Sequence, residues 1–193
     1  MMIHRWLPAC IMFWAVVLVK GAAAQGLPRV MIQTELGSME VEVDTIRTPD
    51  AAGIFLMNVD RGAYKGGHFY RTVRAERVAG GKTQVEGIEG GSNPSRTKNA
   101  PSVALKGMKD TGLSDGEKVL SLGGDGLGGA ASEFFIRIGH QPDLGRLEPD
   151  GRGFTPFGRV VRGREVVRLI HTARARDHAL TPPIGILDAR RVR

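Results

Sequence analysis

Cysteine is nearly absent from this sequence: Cys10 is the only one among its 193 residues. It lies in an apolar stretch near the N-terminus that we expect to be removed, so the remaining chain would carry no thiol. A chain without thiols cannot form disulfides, cysteine-based metal sites or a cysteine nucleophile, and it suits an oxidising compartment.

Signals for metal, nucleotide and hydrolytic sites are also missing or weak. The histidines beyond residue 24 are His68, His140, His171 and His178. No pair of them has tight metal-ligand spacing, and carboxylates do not cluster around them. The glycines of 124–129 match the spacing of the dinucleotide fingerprint, but a strand-like pattern follows where that motif needs a helix. Ser132 has no nucleophile elbow around it. We therefore expect neither a metal nor a cofactor.

The charge is positive but dispersed. The formal net charge is +7, and it stays positive when Arg5 and Lys20 of the N-terminal stretch are left out. Aromatic residues that could stack on bases do not alternate with the basic residues, which argues against nucleic-acid binding. Weak attraction to anionic surfaces or acidic client proteins remains open.

The N-terminus has the layout of a secretory signal peptide. One arginine precedes an apolar run from Leu7 to Val19, and three alanines ending at Ala24 follow before Gln25. A membrane span takes about 17–25 apolar residues, so stable insertion is not expected. We predict a signal peptide at 1–24, cleavage after Ala24, a mature domain at 25–193, and a periplasmic or secreted protein. The alternative is a signal that is kept as an anchor.

Strand-like alternation dominates the rest of the chain. It predicts strands at 30–34, 38–43, 68–73, 83–91, 119–124, 133–139, 154–161 and 183–192, with helices near 51–62 and 164–174. Strand pairs without intervening helices favour one mainly β domain, an antiparallel barrel or sandwich.

Two aromatic segments raise the question of a surface groove. Strand alternation places Phe69 and Arg71 on the same face, although a charge beside a buried aromatic is unusual. In the segment Glu-Phe-Phe-Ile, Phe134 and Phe135 must face opposite sides, so one packs in the core and the other is available to a groove. Phe154, Phe157 and Leu144 could extend the same apolar patch.

Taken in order, these segments resemble the cyclophilin family of peptidyl-prolyl isomerases. VMIQTELGSMEVEVD resembles its opening hairpin, GGHFYRTVR its Phe-His-Arg strand, ASEFFIRIG its Gly-Ser-Gln-Phe-Phe-Ile segment, and FTPFGRVVRGREVVRLI its Val-Phe-Gly-Lys-Val strand with the second helix. The resemblance implies an eight-stranded antiparallel barrel capped by two helices. It also implies isomerase (rotamase) activity on X-Pro bonds, without a cofactor.

By the resemblance, Arg71 takes the position of the family's catalytic arginine. Phe135 and Leu144 fall on pocket residues, and Phe69 belongs to the same strand as the arginine and is assigned to the substrate site. Phe154 replaces a histidine at the pocket rim and is assigned there too.

The departures from the family pattern surround that arginine. Tyr70 replaces a histidine, and Glu89 replaces the glutamine that binds substrate backbone. Glu86 and Gly87 replace a phenylalanine and a methionine of the pocket. Glu89 could accept a hydrogen bond from a peptide N–H, or pair with Arg71 and either hold it or draw it away from substrate.

The sequence thus predicts a peptidyl-prolyl cis-trans isomerase, a monomer, that assists the folding of exported proteins and acts on proline-containing polypeptides. The alternative is a peptide-binding or chaperone module of the same fold with little catalysis, favoured by Glu86, Gly87 and Glu89.

Overall fold

A computed structural model describes residues 26–74, 86–96, 119–122, 132–139 and 155–192. The strands in these ranges are β1 (Arg29–Thr34), β2 (Gly37–Val43), β3 (Gly67–Val73), β4 (Gly87–Gly91), β5 (Val119–Leu122), β6 (Glu133–Arg137), β7 (Thr155–Arg162), β8 (Ala175–Arg176) and β9 (Ala179–Val192). The helices are α1 (Pro49–Asp60) and α2 (Arg164–Thr172), with one 3₁₀ turn at Pro94–Arg96.

Eight of these strands close into an antiparallel barrel. Their order is β1-β2-β7-β5-β6-β4-β3-β9, and β9 returns to pair with β1. The short β8 extends the sheet by pairing with β9. α1 packs against β7 and β9, and α2 packs against β2, β3 and β4. The predicted eight-stranded antiparallel barrel with two helices is confirmed.

The interior of the barrel is built on aromatic rings. Phe55 of α1 meets Phe157 of β7 at a ring-centroid distance of 4.8 Å and Phe134 of β6 at 5.9 Å. Phe134 in turn lies edge-on to Tyr64, at 5.4 Å, and to Phe69, at 5.6 Å. Such pairs add stabilisation beyond the area they bury. Phe157 therefore belongs to the core rather than to a surface patch.

Each helix begins where the local sequence favours it. α1 has Pro49 in its first turn, where the missing N–H is not needed. The Asp44 carboxylate accepts hydrogen bonds from the backbone N–H groups of Ile46 and Arg47 and fixes the turn that leads into the helix. α2 follows Gly163, whose φ of 77° is available to glycine without strain.

The expectation that Phe69 and Arg71 share a face is wrong. Phe69 pairs with Gly90, but Arg71 pairs with Glu89, so Tyr70 is an extra residue in β3. This β-bulge reverses the alternation. Phe69 is fully buried while Arg71 is exposed.

The C-terminal part of the sheet also differs from the prediction. β9 begins at Ala179 rather than at 183, because β8 and β9 form a tight hairpin. Its two loop residues, Asp177 and His178, have φ of 48° and 68°. A two-residue turn of type I′ needs positive φ at both positions, and Asn-Gly or Asp-Gly is the usual sequence for it.

No helix in the described ranges has the length and apolar character needed to cross a bilayer.

Acid should weaken the fold partly through Glu42. Hydrogen bonds from the Arg159 guanidinium, at 2.8 and 3.1 Å, lower the pKa of Glu42 from its usual 4.5, against the opposing effect of burial and with further help from Arg29. A carboxyl with a lowered pKa stabilises the fold above its unfolded pKa, and this contribution is lost as the pH falls through its folded pKa.

We therefore expect the free energy of unfolding to fall less between neutral pH and pH ~3 in Glu42→Gln than in the wild type, by about 0.5–1 kcal/mol. Denaturant titration at several pH values measures this. Arg159→Gln removes the same ion pair from the other side and should reduce the pH dependence similarly. If the free energy of unfolding of both variants falls with pH as steeply as that of the wild type, the ion pair between Glu42 and Arg159 does not cause this pH dependence.

Candidate active site

One line of paired residues crosses four neighbouring strands on the outer face of the barrel. Arg71 of β3 lies opposite Glu89 of β4, Glu89 opposite Phe135 of β6, and Phe135 opposite Ser121 of β5. The next position on β6, Phe134, points into the core. Of the two adjacent phenylalanines, Phe135 is therefore the one on the outer side.

Arg71 is held at this site by an ion pair. Its Nη1 donates a hydrogen bond to Glu89 Oε2 at 3.3 Å. The Arg71 side chain is 48% exposed, whereas the Glu89 side chain is 8% exposed. The carboxylate is thus fixed within the structure while about half of the arginine side chain faces outward. The sequence left two roles open for Glu89, a hydrogen bond to a peptide N–H or a pair with Arg71. The structure shows the pair with Arg71.

Tyr70, the extra residue of the bulge, joins the same cluster. Its partly buried phenol lies near the carboxylates of Glu89 and Glu133. Burial, followed by the negative charges of these two carboxylates, raises the pKa of Tyr70 far above that of a free phenol. The hydroxyl therefore keeps its proton and acts as a donor. In the sequence, Tyr70 stood out only as a replacement for the histidine of the Phe-His-Arg pattern. That replacement did not predict a role for it.

The absence of a side chain at Gly87 shapes the position of Phe135. A Cβ at Gly87 would collide with the Phe135 ring, lying 2.7 Å from Cε1, and with the carbonyl oxygen of Ile136. The ring thus occupies the space that a side chain on β4 would take. The Phe135 ring therefore packs directly against the backbone of β4.

Glu86 is turned toward α2. Its Oε1 lies 3.3 Å from His171 Nε2, and that same nitrogen lies 3.1 Å from the carbonyl oxygen of Val73. Because both neighbours are acceptors, the nitrogen carries a proton and donates. Glu86 therefore connects the beginning of β4 to α2 and to the end of β3.

Two of the remaining predicted site residues, Leu144 and Phe154, lie outside the described residues. Phe69 is fully buried and contacts Phe134, so it supports the sheet beneath Arg71 from the core side. The structure brings together Arg71, Glu89 and Phe135. Tyr70 and Gly87, two of the departures from the family pattern, lie beside them, and so does Glu133, which the sequence did not single out.

No group of three or more His, Cys, Asp or Glu side chains is arranged to hold a metal ion in the described part of the chain. The site offers a guanidinium, two carboxylates, a phenol and an aromatic ring. These groups can donate and accept hydrogen bonds and contact an apolar ring, and none of them is a nucleophile activated by a base.

Comparison with known proteins identifies a family whose model matches this chain. Residues 29–191 match the model described as "Cyclophilin type peptidyl-prolyl cis-trans isomerase/CLD". The chain is 33% identical over 141 residues to peptidyl-prolyl cis-trans isomerase CYP18-2 of Arabidopsis thaliana, an alignment covering 73% of this chain and 79% of that protein. It is 27% identical to the isomerase cyp18 of Streptomyces antibioticus, covering 83% and 96%.

Solved structures show the same fold. The crystal structure of a cyclophilin-type isomerase of Cryptosporidium parvum superposes with a TM-score of 0.66 at 20% identity, covering 86% of this chain and 98% of that one. A second structure of that protein, determined in the presence of the dipeptide Ala-Pro, superposes with a TM-score of 0.64.

The close contact between Gly87 and Phe135 can be tested by adding one methyl group. Gly87→Ala should lower the free energy of unfolding by about 1–3 kcal/mol, because the backbone at Ile136 cannot yield and the Phe135 ring must move. Denaturant unfolding measures the change. Gly53→Ala is the matched control: Gly53 is exposed in α1 with nothing within 4 Å of the added atom, and helix propensity favours alanine there by about 0.5–1 kcal/mol. If Gly87→Ala and Gly53→Ala changed the free energy of unfolding equally, the close contact between Gly87 and Phe135 would be contradicted.

Proposed function

Since the chain belongs to the cyclophilin-type peptidyl-prolyl cis-trans isomerase family, we propose that Arg71 is its electrostatic catalyst and that exported proteins are its substrates. The enzyme class predicted from the sequence is confirmed by the family match, which spans 29–191. The observation that carries the proposed mechanism is the half-exposed Arg71 guanidinium, anchored to the buried Glu89 beside Phe135.

The reaction requires twisting one amide bond. Rotation about a peptide bond meets a barrier of about 18–20 kcal/mol because amide resonance must be broken. In the twisted state the prolyl nitrogen regains its lone pair and becomes a better hydrogen-bond acceptor. A donor aimed at this nitrogen stabilises the twisted state more than either planar form, and only such selective stabilisation accelerates the reaction.

Arg71 suits this role for two reasons. Its guanidinium stays charged and carries five N–H donors in a rigid fork. One of its nitrogens, Nη1, is engaged by Glu89, and that bond orients the fork while the exposed part of the side chain remains accessible. Glu89 thereby holds Arg71 at the groove rather than drawing it into the barrel.

Phe135 supplies the apolar contact in this proposal. It follows Glu89 in the line of paired residues, so a proline ring placed against it would bring its nitrogen toward Arg71. Leu144 and Phe154 are proposed to complete the pocket on the strength of the family resemblance.

A second candidate function is a peptide-binding or chaperone module with little catalysis. It is favoured by Glu86, whose carboxylate is engaged by His171, and by Gly87, which contributes no side chain. Both positions hold apolar pocket residues in the family pattern, so the proline ring has fewer contacts here. A binding module would suppress aggregation of an unfolded protein without accelerating X-Pro isomerisation.

The catalytic role of Arg71 is tested with a short X-Pro peptide. Arg71→Ala should lower kcat/KM about a hundredfold or more, since it removes the donor to the prolyl nitrogen. Arg71→Lys keeps the charge but loses the fork and should recover only part of the activity. Arg190→Ala, an exposed arginine of β9 at the β1 side of the barrel, is the control and should match the wild type.

Activity that survives in Arg71→Ala would overturn the mechanism and leave the enzyme class standing. If the wild-type protein gives no acceleration, the binding module becomes the better assignment.

The export proposal rests on the N-terminal sequence, with the apolar run Leu7–Val19 and the alanines that precede Gln25. In the periplasm or outside the cell, slow X-Pro steps limit the folding of newly translocated chains, and an isomerase there would shorten them.

Export is tested by expressing the full chain in a bacterium and sequencing the N-terminus of the protein recovered from the periplasm. We expect it to begin at Gln25. Ala24→Phe replaces the small residue at the cleavage position and should leave an uncleaved, membrane-associated chain. Uncleaved wild-type protein in the membrane fraction would favour a retained anchor, and uncleaved protein in the cytoplasm would rule out export.

A further inference from the structure

Tyr70 is placed at the site by the bulge in β3. The register passes from Phe69 to Arg71 on both neighbouring strands, β4 and β9, and leaves Tyr70 outside both ladders. A bulged residue and its successor can project on the same side of a sheet, which a regular strand forbids. Tyr70 and Arg71 are therefore neighbours both in sequence and at the site.

Gly91 leaves room for the tyrosine ring. A Cβ at Gly91 would lie 3.1 Å from Glu133 Cγ and 3.7 Å from Tyr70 Cε1. Both side chains thus pass over the glycine, which brings the phenol within reach of two carboxylates. Glu89 is two positions before Gly91 on β4 and is therefore on the same face of the strand. Burial, and then the negative charges of Glu89 and Glu133, raise the pKa of the phenol.

The phenol has one proton to donate, and two carboxylates can accept it. Glu89 also accepts from Arg71 Nη1 at 3.3 Å. A carboxylate has room for both donors, since its two oxygens offer about four lone-pair directions. A phenol proton directed to Glu89 would be its second donor and would limit the orientations that this carboxylate can adopt.

We propose that Tyr70 is a positioning residue for the isomerase reaction: its hydroxyl holds the Glu89 carboxylate in the orientation that fixes the Arg71 guanidinium at the groove. This inference rests on the proposed role of Arg71. It assigns a function to a residue that departs from the family pattern, and it explains how a carboxylate at position 89 is compatible with a catalytic arginine beside it.

The kinetic test removes the hydroxyl alone. Tyr70→Phe should lower kcat/KM on an X-Pro peptide about tenfold, the effect of one hydrogen bond to a charged group. The loss should fall on kcat, with KM unchanged within about twofold, because a displaced Arg71 affects the twisted state more than substrate binding.

Making Tyr70→Phe in a Glu89→Ala variant tests whether the Tyr70 hydroxyl acts through Glu89. If the hydroxyl acts through Glu89, Tyr70→Phe should change kcat/KM less than about twofold there. The chain has two tyrosines, so Tyr64→Phe is the matched control. Tyr64 is buried in the core against Phe55 and Phe134, and its hydroxyl removal should alter stability without changing kcat/KM.

A spectroscopic measurement tests the contact without altering Tyr70. In Tyr64→Phe, Tyr70 is the one remaining tyrosine, and the near-ultraviolet absorption band of its phenol can be recorded at neutral pH. Glu89→Gln added to this variant replaces a charged acceptor beside the phenol by a neutral amide, so the band should shift to shorter wavelength if the hydroxyl donates to Glu89. This measurement holds even if Tyr70→Phe fails to fold.

The outcomes separate the two proposals. No acceleration by the wild type removes the proposed function, while the absorption band still reports on the contact between Tyr70 and Glu89. With an active wild type, the inference is overturned by full activity in Tyr70→Phe, by an equal loss of kcat/KM with Glu89 present and in the Glu89→Ala variant, or by an absorption band that Glu89→Gln leaves unchanged.

Discussion

A single extra residue in β3 is the constraint on which the site depends. Without the bulge at Tyr70, Phe69 and Arg71 would point to the same side of the barrel. Either a phenylalanine that now contacts Phe134 would be exposed, or a guanidinium would be buried among aromatic rings. Burying an unpaired charge is far less favourable than interrupting one rung of a ladder. The bulge therefore allows a buried core residue, Phe69, and the exposed Arg71 to lie in consecutive parts of one strand.

The core and the candidate site lie on opposite faces of the same strands. Phe134 and Phe135 are adjacent in β6, and one packs against Phe55, Tyr64 and Phe69 while the other lies opposite Glu89. Close packing on the inner face fixes the backbone positions of the outer face. The accuracy with which Arg71 and Phe135 are placed is thus a consequence of how the barrel interior is filled.

Much of this arrangement could be predicted from the sequence, because alternation and turn residues are strong local signals. The barrel strands, both helices and the opposite orientations of Phe134 and Phe135 follow from periodicity and from the family resemblance. The bulge could not be predicted in this way, since nothing in HFYRTV marks an extra residue and strict alternation gives the wrong face for Arg71. The β8–β9 hairpin was missed for a related reason: Asp177 and His178 adopt positive φ without the glycine that usually signals such a turn.

Contacts between segments that are distant in the chain could not be predicted from the sequence. Glu86 meets His171, which lies 85 residues further along the chain in α2. The Phe135 ring covers Gly87 because β4 and β6 pair in one particular register. Periodicity identifies which side of a strand a residue occupies, but a partner depends on register and topology, which only the assembled sheet defines.

The three altered neighbours of Arg71 can be understood together rather than as separate losses. Glu86 has His171 as a partner, Gly87 makes room for Phe135, and Glu89 binds Arg71. Tyr70 lies near the same carboxylate, with a pKa raised by burial and by the charges of Glu89 and Glu133. Both carboxylates have a specific partner, and for the buried Glu89 this is expected, because a buried charge is stable only when it is paired. The Glu89 carboxylate is buried beside an arginine whose side chain is about half exposed, and their ion pair therefore fixes where the Arg71 guanidinium meets the surface.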